Sequence, residues 1–123
     1  MASPHILLIE DDPMVRDAIR EHLVFRGYTC TEAGNGAEAL QLLQTLSPDL
    51  ILSDISMPVM GGIEFLMKSR ALGSRVPIIF LTGVNDSTVR TLGKDVGAFE
   101  CVSKPPDYDH LDRLIRTSIA VNG

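Results

Sequence analysis

Short apolar runs alternate along this chain with stretches whose apolar positions recur at helical spacing. Runs at residues 5–10, 50–54, 76–82 and 99–103 are nearly unbroken, and 28–33 alternates apolar with polar positions. Runs of this length bounded by turn residues predict strands. Between them, Val15, Ala18, Ile19, His22 and Leu23 share one helical face over roughly 13–26. Ala39, Leu40, Leu43 and Leu46 do so over roughly 37–46, and Ile63, Leu66, Met67 and Arg70 between Gly61-Gly62 and Gly73. A fourth helix is predicted over roughly 88–96, ended by Gly97. A fifth covers about 107–120, with Leu111, Leu114, Ile115 and Ile119 inward. Pro13 suits a first helical turn, where its missing N–H has no partner to lose, and Asp12 before it is placed to cap.

Strict strand–helix alternation with short connections predicts a parallel sheet covered by helices on both faces, an α/β three-layer sandwich. The continuous runs at 5–10, 50–54 and 76–82 belong at its centre, buried on both sides. The alternating, threonine-containing segment 28–33 belongs at an edge. Five such strands fit the flavodoxin-like order 2-1-3-4-5. A chain of 123 residues with 45% apolar content supports one domain, 1–123, with its core at about 5–120.

Charge and cysteines narrow the chemistry. A net charge of −5 argues against this domain gripping nucleic acid, which calls for a basic face. No apolar stretch approaches the roughly 18 residues that span a bilayer. Met1-Ala2-Ser3-Pro4 lacks the sections of a signal peptide, so the expected location is cytoplasmic. Cys30 and Cys101 lack the number and spacing of a metal site and read as small buried residues at opposite sheet edges, too far apart to bridge. His5, His22 and His110 show no ligand spacing and receive no metal or catalytic role. Met57, Met60 and Met67 read as fillers of packing gaps.

The strand tips hold the candidate site. The first strand ends in Glu10-Asp11-Asp12, the third in Asp54, the fourth in Thr82-Gly83 and the last in Lys104-Pro105. In the order 2-1-3-4-5, strands one and three are neighbours, and Glu10 and Asp11 face Asp54 across the switch-point crevice where ligands collect. Three such carboxylates repel, and a divalent cation removes the conflict. Mg²⁺ prefers oxygen ligands and combines one or two carboxylates with a phosphate, which suits phosphoryl chemistry. Lys104 offers an ammonium that pairs with Asp54 at rest and with a phosphoryl oxygen afterwards. Thr82 offers a hydroxyl toward the same oxygen, and Gly83 leaves the approach uncrowded.

Glu10-Asp11, Asp54-Ile55-Ser56-Met57-Pro58, Leu81-Thr82-Gly83 and Lys104-Pro105 together resemble the receiver domain of two-component response regulators, the CheY-like family, over about residues 5–120. The resemblance implies that Asp54 accepts phosphorus from a phosphohistidine on a sensor histidine kinase or phosphotransfer protein. It implies Mg²⁺ on Asp11 and Asp54, with Glu10 acting through water and the Ser56 carbonyl as a further ligand. It gives Lys104 the phosphoryl group to hold, Thr82 the switching movement, and Lys104-Pro105 a cis peptide that aims the lysine into the site. The product is a changed surface rather than a turned-over substrate. That surface, roughly 86–120, serves an output domain, a target protein or a second copy.

Three departures stand out. Cys101 replaces the family's frequent aromatic three positions before the lysine, Met60 precedes Gly61-Gly62 where an acid is usual, and Pro106 stands where phenylalanine is common. The cysteine redirects the expected output path to the loop and helix after Thr82. Rival classes fare worse. A flavin module needs a glycine- and hydroxyl-rich phosphate loop where Glu10-Asp11-Asp12 repels phosphate. An aspartyl phosphohydrolase needs a second Asp where Ser56 stands. A receiver-like interaction module that carries no phosphate has no use for the set Glu10, Asp11, Asp54, Thr82 and Lys104.

Overall fold

The computed structural model describes residues 3–83, 91 and 97–122. Five strands form one sheet: β1 (His5–Ile9), β2 (Thr29–Ala33), β3 (Leu50–Asp54), β4 (Ile78–Thr82) and β5 (Glu100–Ser103), in the order β2-β1-β3-β4-β5 with every neighbouring pair parallel. The described helices are α1 (Pro13–Phe25), α2 (Gly36–Leu42), α3 (Gly62–Ala71) and α4 (Tyr108–Asn122). The helix predicted over 88–96 lies outside the described residues, apart from residue 91.

Side chains of each central strand alternate between two cores, as the pleat requires. Ile6 and Leu8, Leu50 and Leu52, Ile79 and Leu81 pack against Ile19 and Leu23 of α1 and Leu111 and Ile115 of α4. Leu7, Ile9, Ile51, Ile78 and Phe80 pack on the other face against Ala39 of α2 and Phe65 and Leu66 of α3. Strands β3 and β4 are buried at every position, so their runs read as continuous apolar sequence rather than alternation.

The local signals for helix ends act as expected. Asp12 caps α1, its Oδ1 accepting from Met14 N at 2.9 Å, with Pro13 in the first turn. Asn35 caps α2 through Glu38 N at 2.9 Å. Asp107, expected as the first residue of the last helix, is instead its cap, accepting from Asp109 N at 3.0 Å. Cys30 and Cys101 are free and lie on opposite edge strands and opposite faces of the sheet. Cys101 is buried, but Cys30 is only half-buried, because edge strand β2 has one unpaired side.

Two helix faces differ from expectation. On α3, Phe65, Leu66 and Ser69 are buried while Met67 is exposed, so Met67 fills no gap. Small Gly62 and Ser69 sit on the inner stripe and turn the helix about its axis relative to the apolar count. On α1, Ala18 is exposed, and the covered stripe is limited to Val15, Ile19, His22 and Leu23. Met57 and Met60 do pack against the second core.

Candidate phosphoryl and metal site

The register builds the site. Ile9 pairs with Ser53, so the next residue of each segment, Glu10 and Asp54, lie side by side at the C-terminal edge of β1 and β3. Thr82 pairs with Ser103, which places Lys104 one residue beyond the tip of β4, and Lys104 N donates to the Thr82 carbonyl at 2.8 Å. Parallel strands share a common C-terminal edge, so residues remote in sequence arrive together.

Carboxylate oxygens of Glu10, Asp11 and Asp54 lie within 4.8 Å of one another. Asp11 is exposed at the mouth, Asp54 is 9% exposed, and Glu10 is 2% exposed. Lys104 reaches in from the far side, its Nζ donating to Asp54 Oδ2 at 2.9 Å and to Glu10 Oε1. The second oxygen of Asp54 accepts from Ile55 N at 2.8 Å, and Glu10 Oε2 accepts from Asp12 N at 3.2 Å. The Lys104–Pro105 peptide is cis. Thr82 is buried at the tip of β4, and Ser56 is exposed on the loop leaving Asp54.

Three acids face one ammonium, so the site holds a surplus of negative charge. Burial pushes the Glu10 carboxyl above its ordinary range. The hydrogen bond from Lys104 opposes that rise, and the charge of Asp54 adds to it. Burial pulls the Lys104 ammonium down, but its hydrogen bonds to Glu10 and Asp54, with their charges, outweigh that and leave it above the usual lysine value. The lysine therefore stays protonated at neutral pH, while Glu10 carries the penalty of burial. An all-oxygen donor set with excess negative charge and an open side fits a hard divalent cation such as Mg²⁺.

The loop after Asp54 is fitted against its own strand. Gly62 N donates to the Ile55 carbonyl at 2.9 Å, and a Cβ added at Gly62 meets the Asp54 carbonyl oxygen at 2.2 Å. Gly36, at the start of α2, is as tight, a Cβ there falling 2.9 Å from the Met60 carbonyl. Val59 takes a φ of 69° in this loop although it is β-branched.

Among the described residues, Glu10, Asp11, Asp54 and Lys104 come together as the sequence predicts, and Thr82 reaches the same edge through its backbone. Two participants were missed. Arg16 Nη1 donates to the Glu10 carbonyl at 2.9 Å, and Gly62 gives α3 its close approach. A cation near the first turn of a helix is opposed by the helix dipole, and that anomaly was the available signal for Arg16.

Comparison with known proteins agrees with the geometry. Residues 6–116 match the response regulator receiver domain family. The probable transcriptional regulator ycf29 of Porphyra purpurea is 38% identical over 95% of this chain and 57% of its own length. Response regulator MprA of Mycobacterium ulcerans is 37% identical over 84% of this chain and 44% of its own. The chain thus spans about half the length of the curated relatives it matches. Among solved structures, the receiver domain of Francisella response regulator 1452 superposes with a TM-score of 0.93 at 26% identity, covering 98% of this chain and 100% of that one. Vibrio cholerae chemotaxis protein CheY4 superposes at 0.88 with 31% identity over 95% and 99%. A doubly wound fold with acids and a lysine at one edge, matched along nearly its whole length, makes this chain a member of the response regulator receiver domain family.

Proposed function

We propose that Asp54 is the phosphoacceptor of this receiver and that residues 1–123 act as a single phosphorylation-gated switch, with its core at about 5–120. The observation that carries the reading is the packing of Glu10, Asp11 and Asp54 within 4.8 Å under the Lys104 ammonium. Asp54 is held through both oxygens, by Ile55 N and by Lys104, so its carboxylate is aimed before a donor arrives. In the reaction, an Asp54 oxygen bonds to phosphorus as the donor's P–N bond breaks, and the electron pair of that bond leaves with the imidazole nitrogen.

Asp11 and Asp54 would hold Mg²⁺ directly in this reading, with the Ser56 carbonyl, and Glu10 would act through water. A bound cation would supply positive charge against that developing on the transferred phosphoryl oxygens. Lys104 exchanges its bond to Asp54 for one to a phosphoryl oxygen, and the Thr82 hydroxyl binds another. The chain catalyses its own phosphorylation and slow hydrolysis and turns over no further substrate.

The donor partner is a sensor histidine kinase or a phosphotransfer protein. The acceptor of the signal is an output domain, a target protein or a second copy, engaged through roughly residues 86–120, part of which lies outside the described residues. The output path expected through the segment after Thr82 falls there as well. No helix among the described residues is long and apolar enough to cross a membrane, in keeping with a proposed cytoplasmic role.

Incubation with Mg²⁺ and a small acyl phosphate tests the reading. Intact-mass measurement is expected to show one added phosphoryl group on the native chain and none on Asp54→Asn. A native chain that stays unmodified, with or without a kinase, overturns it in favour of an interaction module that carries no phosphate.

A further inference from the structure

The Glu10–Asp11 peptide is the point where strand β1 gives way to α1, and both of its residues send a carboxylate toward Asp54. The Glu10 N–H is held by the Ala33 carbonyl of β2 at 3.0 Å, the last bond of the β1–β2 ladder. The Glu10 carbonyl lies past the end of the strand, with no ladder to hold it. Arg16 supplies the missing partner: its Nη1 donates to that oxygen at 2.9 Å from near the first turn of α1. Its Nε lies 4.0 Å from Glu32 Oε1 on β2, an oxygen that Arg20 Nε approaches to 3.1 Å and that accepts no hydrogen bond among the described residues. The Arg16 side chain is 24% exposed, so this is a docked side chain rather than a freely solvated one.

From this geometry we infer that Arg16 is a positioning residue for the acid site. It fixes the plane of the Glu10–Asp11 peptide, and so the directions in which the two carboxylates leave the backbone. The inference rests on the proposed metal-dependent reading of that site. Groups that orient metal ligands from outside the coordination shell contribute about 10–100-fold to metal affinity when measured by mutation. The placement costs α1 a cation near its positive end, an unfavourable arrangement that a compensating bond elsewhere offsets.

Charge and positioning make opposite forecasts. A cation near a site for another cation repels it, so an Arg16 acting through charge alone weakens Mg²⁺ binding, and its removal tightens it. An Arg16 that orients the ligands strengthens binding, and its removal loosens it. The full chain titrated with Mg²⁺ alone, followed by calorimetry and by the backbone amide shifts of Asp11 and Asp12, separates the two.

Arg16→Ala is expected to weaken Mg²⁺ at least tenfold and to move the Asp11 amide signal in the metal-free protein. Arg16→Lys, which keeps a donor for the carbonyl, is expected to recover part of the loss. Glu32→Gln leaves the Arg16–Glu10 bond in place and is expected to change Mg²⁺ affinity less than threefold, a comparison that stands even where Arg16→Ala folds poorly. Affinity in Arg16→Ala that is unchanged within twofold, or tighter, overturns the inference. So does a Glu32→Gln loss of tenfold or more, which assigns the effect to the α1–β2 ion pair instead. A native chain that binds no Mg²⁺ sinks the reading of the site as well, whereas a native chain that binds it, with an indifferent Arg16→Ala, sinks only this inference.

Discussion

His22 on α1 donates through Nε2 to Asp112 on α4 at 2.9 Å, and this carboxylate is only 3% exposed. Arg26 Nε reaches the other oxygen of Asp112 at 3.0 Å, and the His22 ring lies against Tyr108 with centroids 4.1 Å apart. One buried acid thus ties the first helix to the last across the same face of the sheet. Neither histidine spacing nor charge pattern marked it, because the partners are 90 residues apart.

Replacing Asp112 by Ala removes the acceptor from both donors and leaves the His22 nitrogen half-covered. Hydrogen bonds to charged groups contribute about 1.5–3 kcal/mol each. Because Arg26 remains exposed enough to rehydrate, the expected loss is roughly 2 kcal/mol in urea unfolding. Asp112→Ala matching the native midpoint shows that the tie adds nothing to stability.

Gly62→Ala puts a methyl where the Asp54 carbonyl oxygen already stands, 2.2 Å away, with Phe80 Cε1 at 2.9 Å. Backbone cannot yield as a flexible side chain can. The expected cost is at least about 2 kcal/mol, together with weaker phosphorylation as Asp54 is displaced. A cooperative melt at the native temperature contradicts this packing.

Val59→Gly runs the other way. Val59 holds a φ of 69° while 82% exposed, so its side chain gives up nothing to the core and its backbone sits where β-branched residues are strained. Relief of about 1–2 kcal/mol exceeds the entropic cost of glycine, about 0.5–1 kcal/mol. A net gain is expected in the urea midpoint, and a net loss refutes the strain.

Glu10 predicts the pH response of the metal-free protein. Its folded carboxyl is held above the ordinary value of 4.5 by burial, so the folded state binds a proton more tightly than the unfolded chain. That contribution is fully present below pH 4.5 and is lost as pH rises through the raised value. Glu10→Gln, which mimics the protonated form, is therefore expected to melt higher than the native chain at neutral pH and equally below pH 4.5. Equal melting at both ends denies the burial penalty on the ionised Glu10.

In the proposed reading, Mg²⁺ would offset the repulsion among Glu10, Asp11 and Asp54 by supplying positive charge. At 100 times its dissociation constant it stabilises the folded state by about 2.7 kcal/mol. Melting temperature is expected to rise with Mg²⁺ in the native chain and to stay level in Asp11→Asn. A rise of the same size in both places the ion elsewhere.

Much of this was legible before any coordinates. Strand–helix alternation, the central runs and the edge character of 28–33 led to the sheet order, since right-handed parallel crossovers leave few alternatives. Asp12 and Pro13 marked the start of α1 through purely local geometry. Strand-tip residues led to Glu10, Asp11, Asp54 and Lys104, because parallel strands end on one edge whatever their loops do. Periodicity falters on α3, where it points Met67 inward and passes over Phe65, since hydropathy does not register a stripe completed by Gly62 and Ser69.

By itself, then, the sequence determined the order of the elements, the edge on which the acids and the lysine gather, and the helix starts that depend on neighbouring residues. Tertiary structure alone decided the close contacts: Arg16 against the Glu10 carbonyl and Gly62 against that of Asp54 at this edge, and His22 and Arg26 against Asp112 between the first and last helices. The first group follows from periods of two and 3.6 along the chain. The second depends on ångström-scale distances between segments that no local period encodes.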